Sequence, residues 1–220
     1  MGRVNHAVSE RAAICDLLIE LGPDQPTLCT GWQTRDLAAH LVMRDRRPLA
    51  GLGLVFRPLA GYTERVRRAY AARPFSGTVD ALRRPPRWSP TQLGPLDRLV
   101  NTPEMFIHHE DIRRARPGWR PRDLPADLAR ELWSWASRHA AIRLRRFPAT
   151  VLVEAGEFGR RRAGRSGGDG DGDGDGATVR ITGDPGELIM FFTGRQEAAR
   201  VGLTGPEALT DRLARARLTW

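Results

Sequence analysis

The chain has 220 residues and a mass of 24.5 kDa, with 40% hydrophobic and 28% charged residues, so it can bury a sizeable core and is not compositionally disordered. The longest apolar run, Leu49 to Phe56, has eight residues, far short of the ~20 that span a bilayer. No basic start followed by an apolar stretch and a cleavage site opens the chain, so the expectation is a cytoplasmic protein without a membrane segment, neither secreted nor fibrous.

Taken in chain order, Ile14, Leu17, Leu18 and Leu21 recur at helical spacing, and Gly22-Pro23 stops that helix. A turn-rich stretch runs from Pro23 to Gly31. Thr34 reads as an N-cap, with Asp36 in the first turn where the helix dipole favours a negative charge. The second helix carries Leu37, Ala38, Leu41 and Val42 and is disturbed at Pro48. A third amphipathic segment spans about 62–72, and the proline-rich stretch Pro74 to Pro90 reads as a loop. Helix returns over about 93–100. Thr102-Pro103 then opens or kinks a helix over 104–115, which Pro117-Gly118 ends. Leu128, Leu132, Trp135 and Ala136 mark another helix, ending near Pro148.

Beyond Pro148 the period changes. Thr150 to Glu154 and Thr178 to Thr182 are short runs rich in valine and isoleucine that predict strands. Asp184-Pro185 opens a helix over 187–193, Arg200 to Leu203 fits a strand, and Pro206 to Arg215 a last helix. The predicted fold class is therefore mainly α with an α+β C-terminal part. The division is an all-helical region 1–148 and a small α+β domain 149–220. Between the two predicted strands lies an alternating Gly-Asp tract, Gly167 to Gly176. It mimics the start of a calcium loop at Asp169, Asp171 and Asp173, but position twelve falls on Arg180 rather than glutamate. It reads as a disordered connection, within 166–177, of a hairpin.

The basic balance invites a nucleic-acid reading, which its distribution weakens. All 35 cationic residues are arginine; residues 1–148 hold 25 of them against 15 acids, while residues 149–220 hold 10 against 11. The excess is scattered and no aromatic-interleaved basic stripe or zinc-finger spacing accompanies it, so no nucleic-acid partner is expected. Two cysteines, Cys15 and Cys29, form no disulfide framework. Cys15 lies on an apolar helix pattern and reads as core filler.

Three side chains stand out chemically. His40 shares the apolar face of the second helix with Leu37 and Leu41. Glu104 and His108 are four apart and sit one above the other on one helix face. A carboxylate and two imidazoles pointing into a helical bundle need partners or a metal ion, and this donor set suits zinc with an open position. Spacing alone leaves open an ordinary ion pair, and nickel or iron in place of zinc. Asp111, one turn beyond His108, is placed to orient a ligand imidazole or to pair with Arg114 or Arg35. His109 points about 100° away from His108 and reads as exterior or as support behind a ligand, and His6 and His139 read as surface residues.

The segment CTGWQTRDLAAHL, Cys29 to Leu41, resembles the helix-entry motif of the mycothiol-dependent maleylpyruvate isomerase family, and EMFIHHED, Glu104 to Asp111, resembles that family's Glu-x-x-x-His-His segment. These belong to the wider DinB-like superfamily of metal-binding four-helix bundles. Arg44 to Pro48, Asn101 to Glu104 and Arg113 to Trp119 look like hallmarks of an actinobacterial subfamily described as metal-binding. Ile181 to Leu188 and Gly194-Arg195 resemble the family's small sterol-carrier-like domain. The resemblance covers nearly the whole chain. It implies a DinB-like up-down bundle, a metal at His40, Glu104 and His108, and mycothiol as cofactor or co-substrate. No dedicated pair of dicarboxylate-binding arginines matches; Arg44, one turn beyond His40, is a candidate anion clamp with Asp111 as its catalytic companion, and Arg195 is another candidate.

Four functions compete at this level. The leading one is a zinc-dependent, mycothiol-using isomerase or transferase acting on a small electrophile, as monomer or homodimer. The others are a metal-dependent hydrolase with Asp45 or Asp111 as base, a non-catalytic metal- or thiol-binding protein, and a basic nucleic-acid-associated factor. Thiol-dependent turnover separates the first two, and steep salt dependence of DNA affinity marks the last.

Overall fold

Asn5, at the entry of the first helix, turns its side chain onto the backbone N–H of Val8, and the chain runs helical from there to Leu21. The computed structural model describes residues 4–51, 56–86, 88–89, 97–165 and 177–218. The chain divides into two compact units, one within residues 1–120 and the other from residue 121 onward.

The first unit is helical: α1 (His6–Leu21), α2 (Thr34–Arg46), a short turn of helix α3 (Pro48–Gly51), α4 (Ala60–Ala71), α5 (Phe75–Arg83) and α6 (Thr102–Arg114). α1 packs on α5 and α6, and α2 on α4 and α5. Ile14, Cys15 and Leu18 meet Leu37, Leu41 and Val42 of α2, Val79 and Leu82 of α5, and Met105 and Ile112 of α6 in one buried cluster. Burying each such side chain is worth roughly 1.5–3 kcal/mol, which outweighs weak local propensity. Helix α5 falls where the sequence predicts a loop. Pro74 supplies its N-terminal boundary, where a missing N–H costs nothing, and Thr78, Val79 and Leu82 bury one face.

The entry to α2 also differs from expectation. Gln33 is the cap, its backbone N–H donating to Asp36 at 3.0 Å, while the Thr34 hydroxyl donates back to the Gly22 carbonyl at 2.6 Å. Before α6 the chain makes a π-helical turn, Asp97–Asn101, that runs straight into the helix. Pro103 stands at its junction and has no N–H for the regular ladder.

The second unit begins with α7 (Ala126–Arg143), which packs on the helix α8 (Pro185–Phe192) and on a strand of the sheet. The division therefore precedes this helix, whereas the change of period predicts it near 148. Leu128, Leu132 and Ala136 of α7 are buried. The strands β1 (Thr150–Glu154), β2 (Arg160–Gly164), β3 (Thr178–Thr182) and β4 (Gly202–Thr204) form a mixed sheet in the order β2-β1-β3-β4. A last helix, α9, spans Glu207–Ala214. β1 and β3 pair in parallel, Thr150 opposite Thr178 and Glu154 opposite Thr182, with β2 and β4 antiparallel to their neighbours. The expected hairpin between β1 and β3 is thus absent, because parallel strands cannot be closed by a tight turn and β2 intervenes. The Gly-Asp tract lies outside the described residues. At the end of β2, Gly164 has φ +84°, and a Cβ there would stand 2.1 Å from the Ala149 carbonyl oxygen, so only glycine fits.

Val151 and Val153 of β1, and Val179 and Ile181 of β3, are fully buried, as are Leu188 to Phe192 of α8. Among the described residues no helix is long and apolar enough to cross a membrane.

Candidate metal centre

Helices α2 and α6 and the loop before α2 supply every group of the site. The loop is tied to α6 by its backbone: Leu28 N–H donates to the Asp111 carbonyl at 3.0 Å. Turn by turn, α2 presents His40 and then Arg44, and α6 presents Glu104, His108 and Asp111. His40 and His108 are 4% and 7% exposed, and Asp111 is fully buried.

Glu104 Oε1 is the hub. His108 Nε2 lies 3.1 Å from it, His40 Nε2 3.3 Å, and Arg44 Nε 3.3 Å. One ligand atom from each of His40, Glu104 and His108 falls within a 4.8 Å set. Four ligands on zinc at its ordinary bond lengths stand about 3.3 Å apart, so the spacing of the nitrogens from the carboxylate oxygen is already that of a tetrahedral edge. The other His108 nitrogen, Nδ1, donates to Asp111 Oδ2 at 2.9 Å. A buried carboxylate behind a histidine fixes its tautomer and leaves Nε2 for an ion. Asp111 is thus hydrogen-bonded to His108, one of the partners that its position on the helix allowed. Arg114 goes to Glu110 at 2.6 Å and Arg35 to Asp24.

The electrostatics suit a cation. Burial lowers the His40 pKa to about 4, its hydrogen bond with Glu104 only partly offsetting this, so the ring is neutral near pH 7. Burial opposes ionisation of Glu104, but Arg44 and the two imidazoles overcome it and hold the carboxyl well below its usual range. Burial likewise opposes charge on His108, yet its hydrogen bonds with Asp111, Cys29 and Glu104 push it well above the usual imidazole value. A proton on His108 is a positive charge set between the buried Asp111 and the partly buried Glu104, and a metal ion can replace it. Two atoms at the site, His40 Nδ1 and Arg44 Nη1, are buried without a hydrogen-bond partner among the described residues.

Two neighbours escaped the sequence reading. The Cys29 thiol donates to Asp111 Oδ2 at 3.2 Å, and Cys29, His108 and Asp111 make a second candidate ligand set sharing the same imidazole. Trp32 packs its ring 5.2 Å from that of His40, and the Arg67 guanidinium stacks over Trp32 at 4.9 Å. The signal for both was the Cys-Thr-Gly-Trp segment itself, but only the tertiary fold shows what it touches.

Other expected residues lie elsewhere. Asp45 is buried in an ion pair with Arg11, which also donates to the Leu82 carbonyl at 3.1 Å, so it is not placed as a base. Arg195 belongs to the second unit, where it donates to the Thr193 carbonyl at 2.7 Å. His6, His109 and His139 are buried rather than superficial: His109 pairs with Glu10 at 2.7 Å, and His139 stacks on Trp135 at 4.2 Å. Cys15 is fully buried, and burial raises its pKa to about 11.

No protein-family model and no curated protein sequence matches the chain. Solved structures do. The crystal structure of the mycothiol-dependent maleylpyruvate isomerase superposes with a TM-score of 0.54 at 14% identity, over 90% of this chain and 88% of that one. A His-to-Ala mutant of that isomerase gives 0.54 at 13% identity, over 90% of each chain. The chain shares their fold. The likeness reaches across both units, the mainly helical one and the one built on the mixed sheet.

Proposed function

We propose that the protein is a metal-dependent enzyme that joins a low-molecular-weight thiol to an electrophilic small molecule, as isomerase or S-transferase. The observation that carries the reading is the convergence of His40 Nε2, Glu104 Oε1 and His108 Nε2, with the far side of His108 anchored on Asp111. Two imidazoles and one carboxylate are a zinc set that leaves a fourth position open, as catalytic sites do. A divalent ion held there would supply Lewis acidity, lowering the pKa of a thiol at that position so that it is a thiolate at neutral pH.

The protein's own groups do the rest. Asp111 keeps the proton of His108 on Nδ1. Arg44 keeps Glu104 ionised and carries an unpaired buried donor, Nη1, suited to an anionic group on the electrophile. Trp32 walls the site beside His40 and excludes water from that side. A divalent ion and Arg44 against Glu104 and Asp111 would leave one positive charge in excess, which a single anionic donor at the open position would cancel. The fold shared with a mycothiol-dependent isomerase supports mycothiol as the thiol and an activated alkene as its target.

The test has two parts. Metal analysis of the purified protein is expected to give one ion per chain, falling well below that in His40→Ala and His108→Ala. The metal-loaded protein with Cys15→Ser and Cys29→Ser is expected to retain thiol-dependent consumption of a maleylpyruvate-type electrophile. Full stoichiometry in both histidine variants overturns the site, and activity lost in the folded, loaded cysteine variant makes the nucleophile internal.

A further inference from the structure

We infer that the turn leaving α6 forms a second ligand site, for a small aromatic carboxylate; this does not rest on the metal reading. The turn, Arg113 to Trp119, belongs to a motif that the metal centre leaves unused. With Leu17 of α1 and His109 of α6 it encloses a cleft of about 300 Å³. Among the described residues no acidic one lines that cleft, whereas Arg113 and Arg116 do.

Its aromatic wall is fixed in advance. Gly118, at φ +76°, reverses the chain in a conformation that side chains rarely adopt, and this returns Trp119 to the cleft. The Arg114 guanidinium lies 4.5 Å from the centre of the Trp119 ring and does not line the cleft. Trp119 thus both packs on a cation and lines the cleft. Arg114 is itself held by the fully buried Glu110 at 2.6 Å. A wall locked before binding saves the ligand the entropy of ordering it.

Donors remain for an anion. Arg113 uses one nitrogen on Glu110 at 2.7 Å and another on the Arg120 carbonyl at 3.2 Å, out of five N–H groups. Arg116 is half-exposed and only loosely paired, 3.8 Å from an exposed Glu20, an interaction that solvent screens. A planar apolar surface beside guanidinium forks matches a ring bearing a carboxylate. The volume stands at the low end of small-molecule sites, about 300–1,000 Å³, and suits one ring. Inorganic phosphate would satisfy the arginines but leave Trp119 and Leu17 uncovered. At about 100° per residue, His109 and Arg113 occupy a different face of α6 from His108, so the two sites are separate on one helix.

Calorimetric titration of the intact protein with sodium benzoate tests the site, with benzamide and inorganic phosphate as controls. One benzoate per chain is expected, with binding unchanged after chelator treatment, which strips any ion from His40, Glu104 and His108. Trp119→Leu should weaken it about tenfold. Arg116→Gln should weaken it about threefold and Arg116→Lys less, the circular dichroism of each variant matching the wild type. Benzamide should bind about threefold more weakly than benzoate. Absence of saturable benzoate binding overturns the proposal. So does binding that disappears with the chelator, binding indifferent to Trp119→Leu, or phosphate binding as tightly as benzoate.

Discussion

Helices α6 and α8 bury themselves in opposite ways. α6 encloses His108, His109, Glu110, Asp111 and Arg114, whereas α8 encloses Leu188, Ile189, Met190, Phe191 and Phe192. Ionised groups taken out of water offset their desolvation only when each finds a partner, so α6 is matched residue by residue: His109 to Glu10, Glu110 to Arg113 and Arg114, Asp111 to His108 and Cys29. Apolar groups need no such matching. The difference teaches where stability resides. A helix full of buried charge is an inefficient way to stabilise a fold, whereas an apolar helix such as α8 stabilises it without any such matching.

Perturbing each helix sharpens the contrast. Phe191→Ala is expected to cost about 3–5 kcal/mol in denaturant unfolding while leaving metal per folded chain unchanged. A drop in metal content there would erase the distinction between the units. In α6, Asp111→Asn is expected to weaken metal affinity about 10–100-fold, read by competition with a chromogenic chelator, at little cost to the fold. An unchanged affinity would mean that Asp111 does not orient His108.

A smaller effect separates the units by pH. Burial lowers His139 of α7 to about 4, and Arg143 adds to this. The unfolded chain therefore binds the extra proton between about pH 6.5 and 4, so stability falls as pH drops through that window and is full above it. The loss by pH 4 is at most about 3 kcal/mol, less after solvent screening, and should vanish in His139→Gln, measured as thermal stability against pH. An unaltered slope in that variant would place the titration elsewhere. Least of all should follow from shortening the Gly-Asp tract to six residues. β2 and β3 flank β1, so the connection crosses about 10 Å at two strand spacings. A melting temperature and metal content close to wild type are expected, since loop closure depends only weakly on length. A large loss, or stabilisation by calcium, would show that the tract carries more than connectivity.

Much of this was legible beforehand because period and spacing are local. Leu37, Leu41 and Val42 marked the buried face on which His40 sits, and the four-residue step from Glu104 to His108 placed both on one side of α6. What escaped was set by tertiary contact. Arg160, Arg161 and Arg162 do not look like a strand, yet pairing with β1 makes them one at the sheet edge, where only Ala163 is buried. Helix α5 hid behind Pro74 and a glycine, and its reason to exist is the apolar surface of α1 and α2. Cys29 and Asp111 are 82 residues apart, a separation that only the fold closes.

The pairing of Glu10 with His109 also dictates an order of events on the ribosome. The two are 99 residues apart, so at about 5–20 residues per second α1 waits roughly 5–20 s for its partner after it is made. During that interval α1 can already dock on α2 and α5, through Arg11 to Asp45 and to the Leu82 carbonyl. His40 likewise precedes Glu104 by 64 residues. A nascent chain therefore holds an incomplete donor set until α6 emerges, so any ion taken up by His40, Glu104 and His108 would enter late in biosynthesis.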